Sequence, residues 1–360
     1  MDFSRIFIIA EAGVNHNGSI ELALQLIDTA VAAGADAIKF QTFLPEKLVS
    51  KYAAKADYQL KSTSSAESQL EMLQKLYLDE DAHWQLINYC RNKGIRFLST
   101  PFDLESVDLL SRTFDLPLLK LASGEITNAP LLLSAARTGK AVILSTGMST
   151  LGEVEAALGV LAFGYTQGEA APSLEAFQQA YISVEGQKAL QEKVRLLHCT
   201  TEYPAAYEDV NLRMMDTLKA AFGLPVGLSD HTQGIAIPVA AAARGASIIE
   251  KHFTLDCNLP GPDHKASLEP AELASMIRQI RQVEAALGTS LKRPVGAELK
   301  NKNVARKSLV AARDIKQGEL FTPENLAVKR PGDGVSPMNY WEALGKRAEK
   351  DYVQDELVIL

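Results

Sequence analysis

The chain of 360 residues has only three cysteines, Cys90, Cys199 and Cys257, and no Cys-x-x-Cys pair. That indicates neither a disulfide framework nor a thiolate zinc site, and it suits a reducing cytosol, the expected location. Long hydrophobic runs are also missing. The apolar run from Ile6 to Ala10 turns polar at Glu11, short of a signal-peptide core or a membrane span. Nor is there an excess of positive charge, since 37 Lys and Arg against 44 Asp and Glu give a net charge of -7. Neither nucleic acid nor an anionic membrane is therefore an expected partner, and an anionic ligand would need cations gathered locally.

What the chain does have is a repeated alternation of short, continuously apolar runs with helical segments. The runs are Ile6 to Ala10, Asp36 to Phe40, Ile95 to Ser99, Leu118 to Ala122, Ala141 to Ser145, Val194 to His198, Leu224 to Leu228 and Ser247 to Lys251. Continuous rather than alternating hydrophobicity means burial on both faces, as in a parallel sheet. Ser19 reads as the N-cap of the first helix and Gly34 as its end. Eight such units are the count of a (β/α)8 TIM barrel, an α/β fold. Barrel chemistry sits at the carboxyl rim, so the polar residues at the strand ends matter most: Glu11, Lys39, Gln41, Thr100, Lys120, Ser123, Glu125, Ser145, Thr201, Ser229, His231 and His252.

Two pairs stand out. His231 and His252 close two successive parallel strands and must emerge as neighbours; they are either two ligands of a divalent metal or rim histidines bonded to backbone carbonyls. Lys39 and Lys120 lie inside apolar strand segments, where an unpaired ammonium is costly. Either each pairs with a carboxylate, Glu11 or Glu125, or the two gather with nearby hydroxyls around a phosphate and a carboxylate. The remaining histidines read as structural: His16 orders the Asn-His-Asn-Gly loop, His198 is a satisfied strand-end residue and His83 a helix-surface residue. His264 stands between loop structure and a ligand contact.

Two stretches break the rhythm. The polar segment between Phe43 and Leu78, including Lys51 to Gln69, has the length and position of a substrate lid or specificity loop. Gly164 to Lys193, rich in Ala, Gln and Glu, reads as extra helix outside the barrel. Past Leu287 the helical period stops. A linker over 289–302 then leads from a barrel of 1–288 into a small, turn-rich β unit of 303–360, in which Lys329-Arg330-Pro331-Gly332 forms a cationic turn.

Ordered motifs along nearly the whole chain resemble the sialic acid synthases. They include Glu11-x-x-x-Asn15-His16-x-Gly18, Lys39-Phe-Gln41-Thr, Lys120-x-x-Ser123-Gly-Glu125, Gly227-Leu-Ser-Asp-His231, Glu250-Lys-His252-Phe-Thr, Gly261-Pro-Asp263 and Val328-Lys-Arg330-Pro-Gly. The C-terminal unit is similar to the family's antifreeze-like (SAF) domain. The segments Ala56-Asp-Tyr-Gln-Leu-Lys-Ser-Thr and Glu67-Ser-Gln-Leu-Glu-Met are most similar to the bacterial N,N'-diacetyllegionaminate synthases. The resemblance implies a cytoplasmic enzyme condensing phosphoenolpyruvate with an N-acylated mannose-type sugar, with N-acetylmannosamine as the alternative substrate. It assigns Lys39, Thr100, Lys120, Ser123, Ser145, Thr201 and Ser229 to phosphoenolpyruvate, although Thr201 stands where some sialic acid synthases have asparagine. Gln41, Tyr203, Asp263 and Arg330 fall to the sugar, Glu11 and Glu125 to catalysis, and His231 and His252 to a divalent metal (Mn²⁺, Mg²⁺ or Co²⁺). Arg330 would come from the partner subunit of a domain-swapped homodimer. A pyruvate-using aldolase with Lys120 as a Schiff-base lysine is the rival enzyme reading.

Overall fold

A computed structural model describes residues 5–56, 60, 67–168 and 170–360. The chain divides into two compact units, Met1–Gly288 and Thr289–Leu360.

In the first unit eight parallel strands run β1 Phe7–Gly13, β2 Ala37–Thr42, β3 Arg96–Pro101, β4 Leu118–Leu121, β5 Ala141–Ser145, β6 Val194–Cys199, β7 Val226–Asp230 and β8 Ile248–His252. Each overlaps one of the apolar runs. The hydrogen-bonded order β3-β2-β1-β8-β7-β6-β5-β4 curls until β3 and β4 meet, a nearly closed (β/α)8 barrel. The first helix, Ile20–Ala33, starts on Ser19, whose hydroxyl accepts the Leu22 N–H at 3.2 Å, and ends on a left-handed Gly34. The expected insertion is helical at Leu174–Ile182 and Val184–Lys193, packed against the helix Leu151–Thr166.

Strand alternation decides what fills the barrel. Phe7, Ile9, Leu98, Leu118, Ile143, Leu197 and Ile248 form one buried apolar cluster. Two residues further along the same strands, on the same face, come Glu11, Thr100, Lys120, Ser145, Cys199 and Glu250. An apolar plug thus floors a polar layer just below the carboxyl rim. The opposite faces pack against the helices in a larger core.

The second unit holds the antiparallel pair β9 Ser308–Ala311 and β10 Leu326–Lys329, around a small core that includes Leu309, Phe321 and Tyr352. The segment expected as a linker is in part helix, Gly296–Ala305. The Glu298 carboxylate accepts the Val295 N–H at 2.9 Å and so caps its first turn. None of its residues is buried, so it has no apolar stripe from which a helix could be read. Among the described residues no helix is long and apolar enough to cross a membrane.

Candidate active site

A cavity of about 300 Å³ opens at the carboxyl rim. Thirteen of the fifteen expected site residues line it: Glu11, Lys39, Gln41, Thr100, Lys120, Ser123, Ser145, Thr201, Tyr203, Ser229, His231, His252 and Asp263. Glu125 adjoins it through Ser123 and Gly124 but does not line it; its half-buried carboxylate accepts the Asn128 side-chain N–H at 2.7 Å. Arg330 lies exposed in the second unit, directly after β10. A wider depression of about 610 Å³ lies at the amino end of β3 to β6, among Arg96, Pro117, Ala141 and Arg195. Barrel enzymes do not keep their chemistry at that face.

The cavity floor is an alternating set of charges. Lys39 Nζ lies 2.6 Å from the Glu11 carboxylate, donates to Thr100 Oγ1 at 2.9 Å and stands 3.7 Å from Glu250. Lys120 Nζ lies 3.3 Å from Glu250, which also accepts the Ser229 hydroxyl at 2.7 Å. Lys120 therefore pairs with neither expected carboxylate, and Glu250 is the residue that sequence reasoning missed. The signal was available: Glu250 and His252 share a strand face, and an acidic residue inside an apolar run points to a buried partner.

Burial opposes ionisation of Glu250, but Lys120 and Lys39 outweigh it and hold the carboxyl down at about 2. For Glu11 burial wins over the pull of Lys39 and pushes the carboxyl up to about 7. One carboxylate is fixed as a charge while the other can take or release a proton near neutrality. Above this layer, Ser145 Oγ and Thr201 Oγ1 are buried with no hydrogen-bond partner. Gly147 makes the crowding possible: its N–H donates to Ser123 Oγ at 2.9 Å, and a Cβ there would collide with Thr201 Oγ1. Two ammonium groups with two unclaimed hydroxyls suit an anion carrying many oxygens.

His231 and His252 do emerge as neighbours, ring centroids 5.4 Å apart, with the Tyr203 ring 4.1 Å from His231 and 5.6 Å from His252. His231 Nδ1 is 2.7 Å from the Thr200 carbonyl, so it carries a proton there and Nε2 is the nitrogen left to serve as a ligand. His252 Nδ1 is buried without a hydrogen-bond partner, 3.9 Å from the Asp263 carboxylate. Burial first, then His231 and Lys39, keeps this imidazole neutral. Two adjacent imidazoles, one of them neutral with an orphaned nitrogen, fit a divalent ion. Among the described residues no group of three His, Cys, Asp or Glu encloses such a site, so water and substrate would complete it.

The other histidines are structural. His16 Nδ1 accepts the Gly18 N–H, His198 Nε2 bonds the Val210 carbonyl, and His264 bonds Thr254 and Asn17. His83 is not on a helix surface. It is buried, bonded to Thr42 Oγ1 at 2.8 Å and stacked on Phe114, because it shares a face with Leu86, Ile87 and Cys90.

A (β/α)8 barrel with this rim defines a metal-assisted enzyme for an anionic, oxygen-rich substrate. The chain belongs to the NeuB family, whose model matches residues 26–292, and a SAF domain matches 306–358. It is 52% identical over 354 residues to an N,N'-diacetyllegionaminic acid synthase of Campylobacter jejuni, covering 98% of this chain and 99% of that one. It is 42% identical to the enzyme of the same name from Legionella pneumophila, covering 95% and 90%. The solved N-acetylneuraminic acid synthetase of Leptospira borgpetersenii aligns at a TM-score of 0.66 and 32% identity, over 83% of this chain and 90% of that one.

Proposed function

We propose that this enzyme condenses phosphoenolpyruvate with 2,4-diacetamido-2,4,6-trideoxymannose and water, giving N,N'-diacetyllegionaminate and inorganic phosphate. The observation that carries the reading is the paired-lysine floor beneath two unpartnered hydroxyls, beside two neighbouring imidazoles. Similarity to the Campylobacter and Legionella synthases supports the choice of sugar.

Lys39 and Lys120 hold the phosphate and carboxylate of phosphoenolpyruvate, with Thr100, Ser123, Ser145 and Thr201 donating to its oxygens and Ser229 lining the same pocket while its hydroxyl donates to Glu250. A divalent ion on His231 and His252 would polarise the aldehyde oxygen of the open-chain sugar. Gln41, Tyr203 and Asp263 orient that sugar so that its carbon 1 faces carbon 3 of phosphoenolpyruvate, and a carbon–carbon bond forms between them. Glu250, fixed as an anion, offsets positive charge developing at carbon 2. Glu11, which lines the cavity, directs a water to that carbon and takes its proton, with Glu125 beside the cavity as the second carboxylate for that role, after which phosphate leaves with cleavage of the carbon–oxygen bond. Arg330 reaches the sugar from the partner of a homodimer.

The pyruvate-aldolase reading needs a neutral amine at Lys120, and the 3.3 Å ion pair with Glu250 opposes that. Replacing phosphoenolpyruvate by pyruvate tests both. The proposal predicts no product and no borohydride-trapped adduct; turnover of pyruvate with an adduct on Lys120 would overturn it.

A further inference from the structure

Besides the charged floor, the cavity has a mostly apolar side, with Gln69 as its polar member. Leu48 and Val49 come from the segment after β2, Met72, Leu73 and Leu76 from the helix Gln69–Leu76, and Phe102 from the end of β3. With Val14 and Phe43 they make a cluster separate from the barrel core. This wall is braced from behind. Ser68 and Glu71 cap the helix reciprocally, and the Gln74 side chain donates to Glu46 at 2.9 Å. Glu67 pairs with Lys55 and Lys75 at 3.0 and 2.5 Å. Gly18 lies so close to the Lys75 carbonyl that a Cβ there would collide with it.

A braced apolar wall across from two lysines is a poor surface for hydroxyls and a good one for methyls. The floor residues lie within the strands, whereas the helix Gln69–Leu76 and its neighbours stand beyond the strand ends. A sugar whose aldehyde end meets the floor and the imidazoles directs its opposite end, carbon 6, toward the rim. Resting on the function proposed above, we infer that the wall built by Leu48, Val49, Met72 and Leu73 selects a 6-deoxy sugar by covering its terminal methyl. A 6-hydroxyl placed against those four side chains would lose water and find no partner among them, Gln69 at the start of the helix being the one polar residue beside them. Apolar surfaces reject an added hydroxyl by only about 10²-fold, so the preference is finite.

The test compares 2,4-diacetamido-2,4,6-trideoxymannose with 2,4-diacetamido-2,4-dideoxymannose, which differ only in the 6-hydroxyl. Phosphate release is followed for the wild-type enzyme, for Met72→Gln, and for Val49→Thr, a change of one methyl to hydroxyl at a half-buried position that keeps the fold. The wild type is expected to favour the 6-deoxy sugar by roughly 10- to 100-fold in kcat/KM. Each variant should lower that ratio about tenfold while KM for phosphoenolpyruvate holds. An unchanged ratio in Val49→Thr, or no preference in the wild type, overturns the inference while leaving the condensation intact. Failure of the wild type to release phosphate with either sugar would instead sink the proposed function.

Discussion

Asp230 and Lys251 immediately precede His231 and His252, and they point to the opposite strand face, away from the cavity. Lys251 Nζ lies 2.6 Å from Asp230 Oδ2, with side-chain exposures of 0% and 1%, and also donates to the Thr232 carbonyl. Asp230 further accepts the Thr232 N–H at 3.1 Å and its hydroxyl at 3.0 Å. Lys251→Met would leave that carboxylate buried with only those two neutral donors. Breaking a buried pair from one side costs about 3–5 kcal/mol. Asp230→Asn combined with Lys251→Met removes both charges, and its loss should stay within about 2 kcal/mol of wild type, because no uncompensated ion is left. Urea unfolding followed by fluorescence measures both. A loss below about 1 kcal/mol in Lys251→Met, or a double variant no more stable than the single, refutes the reasoning.

Burial, with His83 and His264 adding to it, holds His16 down from the ordinary 6.5 to about 4. Between those values the unfolded chain binds a proton that the folded protein refuses, so stability is full above about 6.5 and falls as pH drops toward 4. The total loss is roughly 3 kcal/mol, and it should shrink in His16→Asn when unfolding is compared at pH 7 and pH 4.5; an equal loss in that variant would exclude His16 as its source. Arg330→Ala should raise KM for the sugar several-fold more than KM for phosphoenolpyruvate. Mixed with a Glu125→Gln chain, it should recover activity if Arg330 serves the partner's cavity; no recovery argues that it serves its own subunit.

The barrel was legible because strands buried on both faces leave continuous apolar runs, and because a lysine inside such a run, as at Lys39 and Lys120, demands a partner. Which partner was not legible. Glu250 reaches Lys120 from β8 across the interior, a pairing set by the curl of the sheet. His83 could have been placed from its spacing with Leu86, Ile87 and Cys90, where apolar periodicity outweighs a polar side chain. The exposed helix Gly296–Ala305 offers no periodicity to find. Much of the segment expected to select the sugar, Asp57 to Gln59 and Lys61 to Ala66, lies outside the described residues. Its continuation from Gln69 supplies the apolar wall, formed by residues brought together from three connections.

The central claim is tested most directly by phosphate release from phosphoenolpyruvate in the presence of Mn²⁺, with mass analysis of the product, comparing 2,4-diacetamido-2,4,6-trideoxymannose with N-acetylmannosamine. The account predicts strong preference for the first and a product of the mass of N,N'-diacetyllegionaminate. Preference for N-acetylmannosamine, or no release with either sugar, would contradict it.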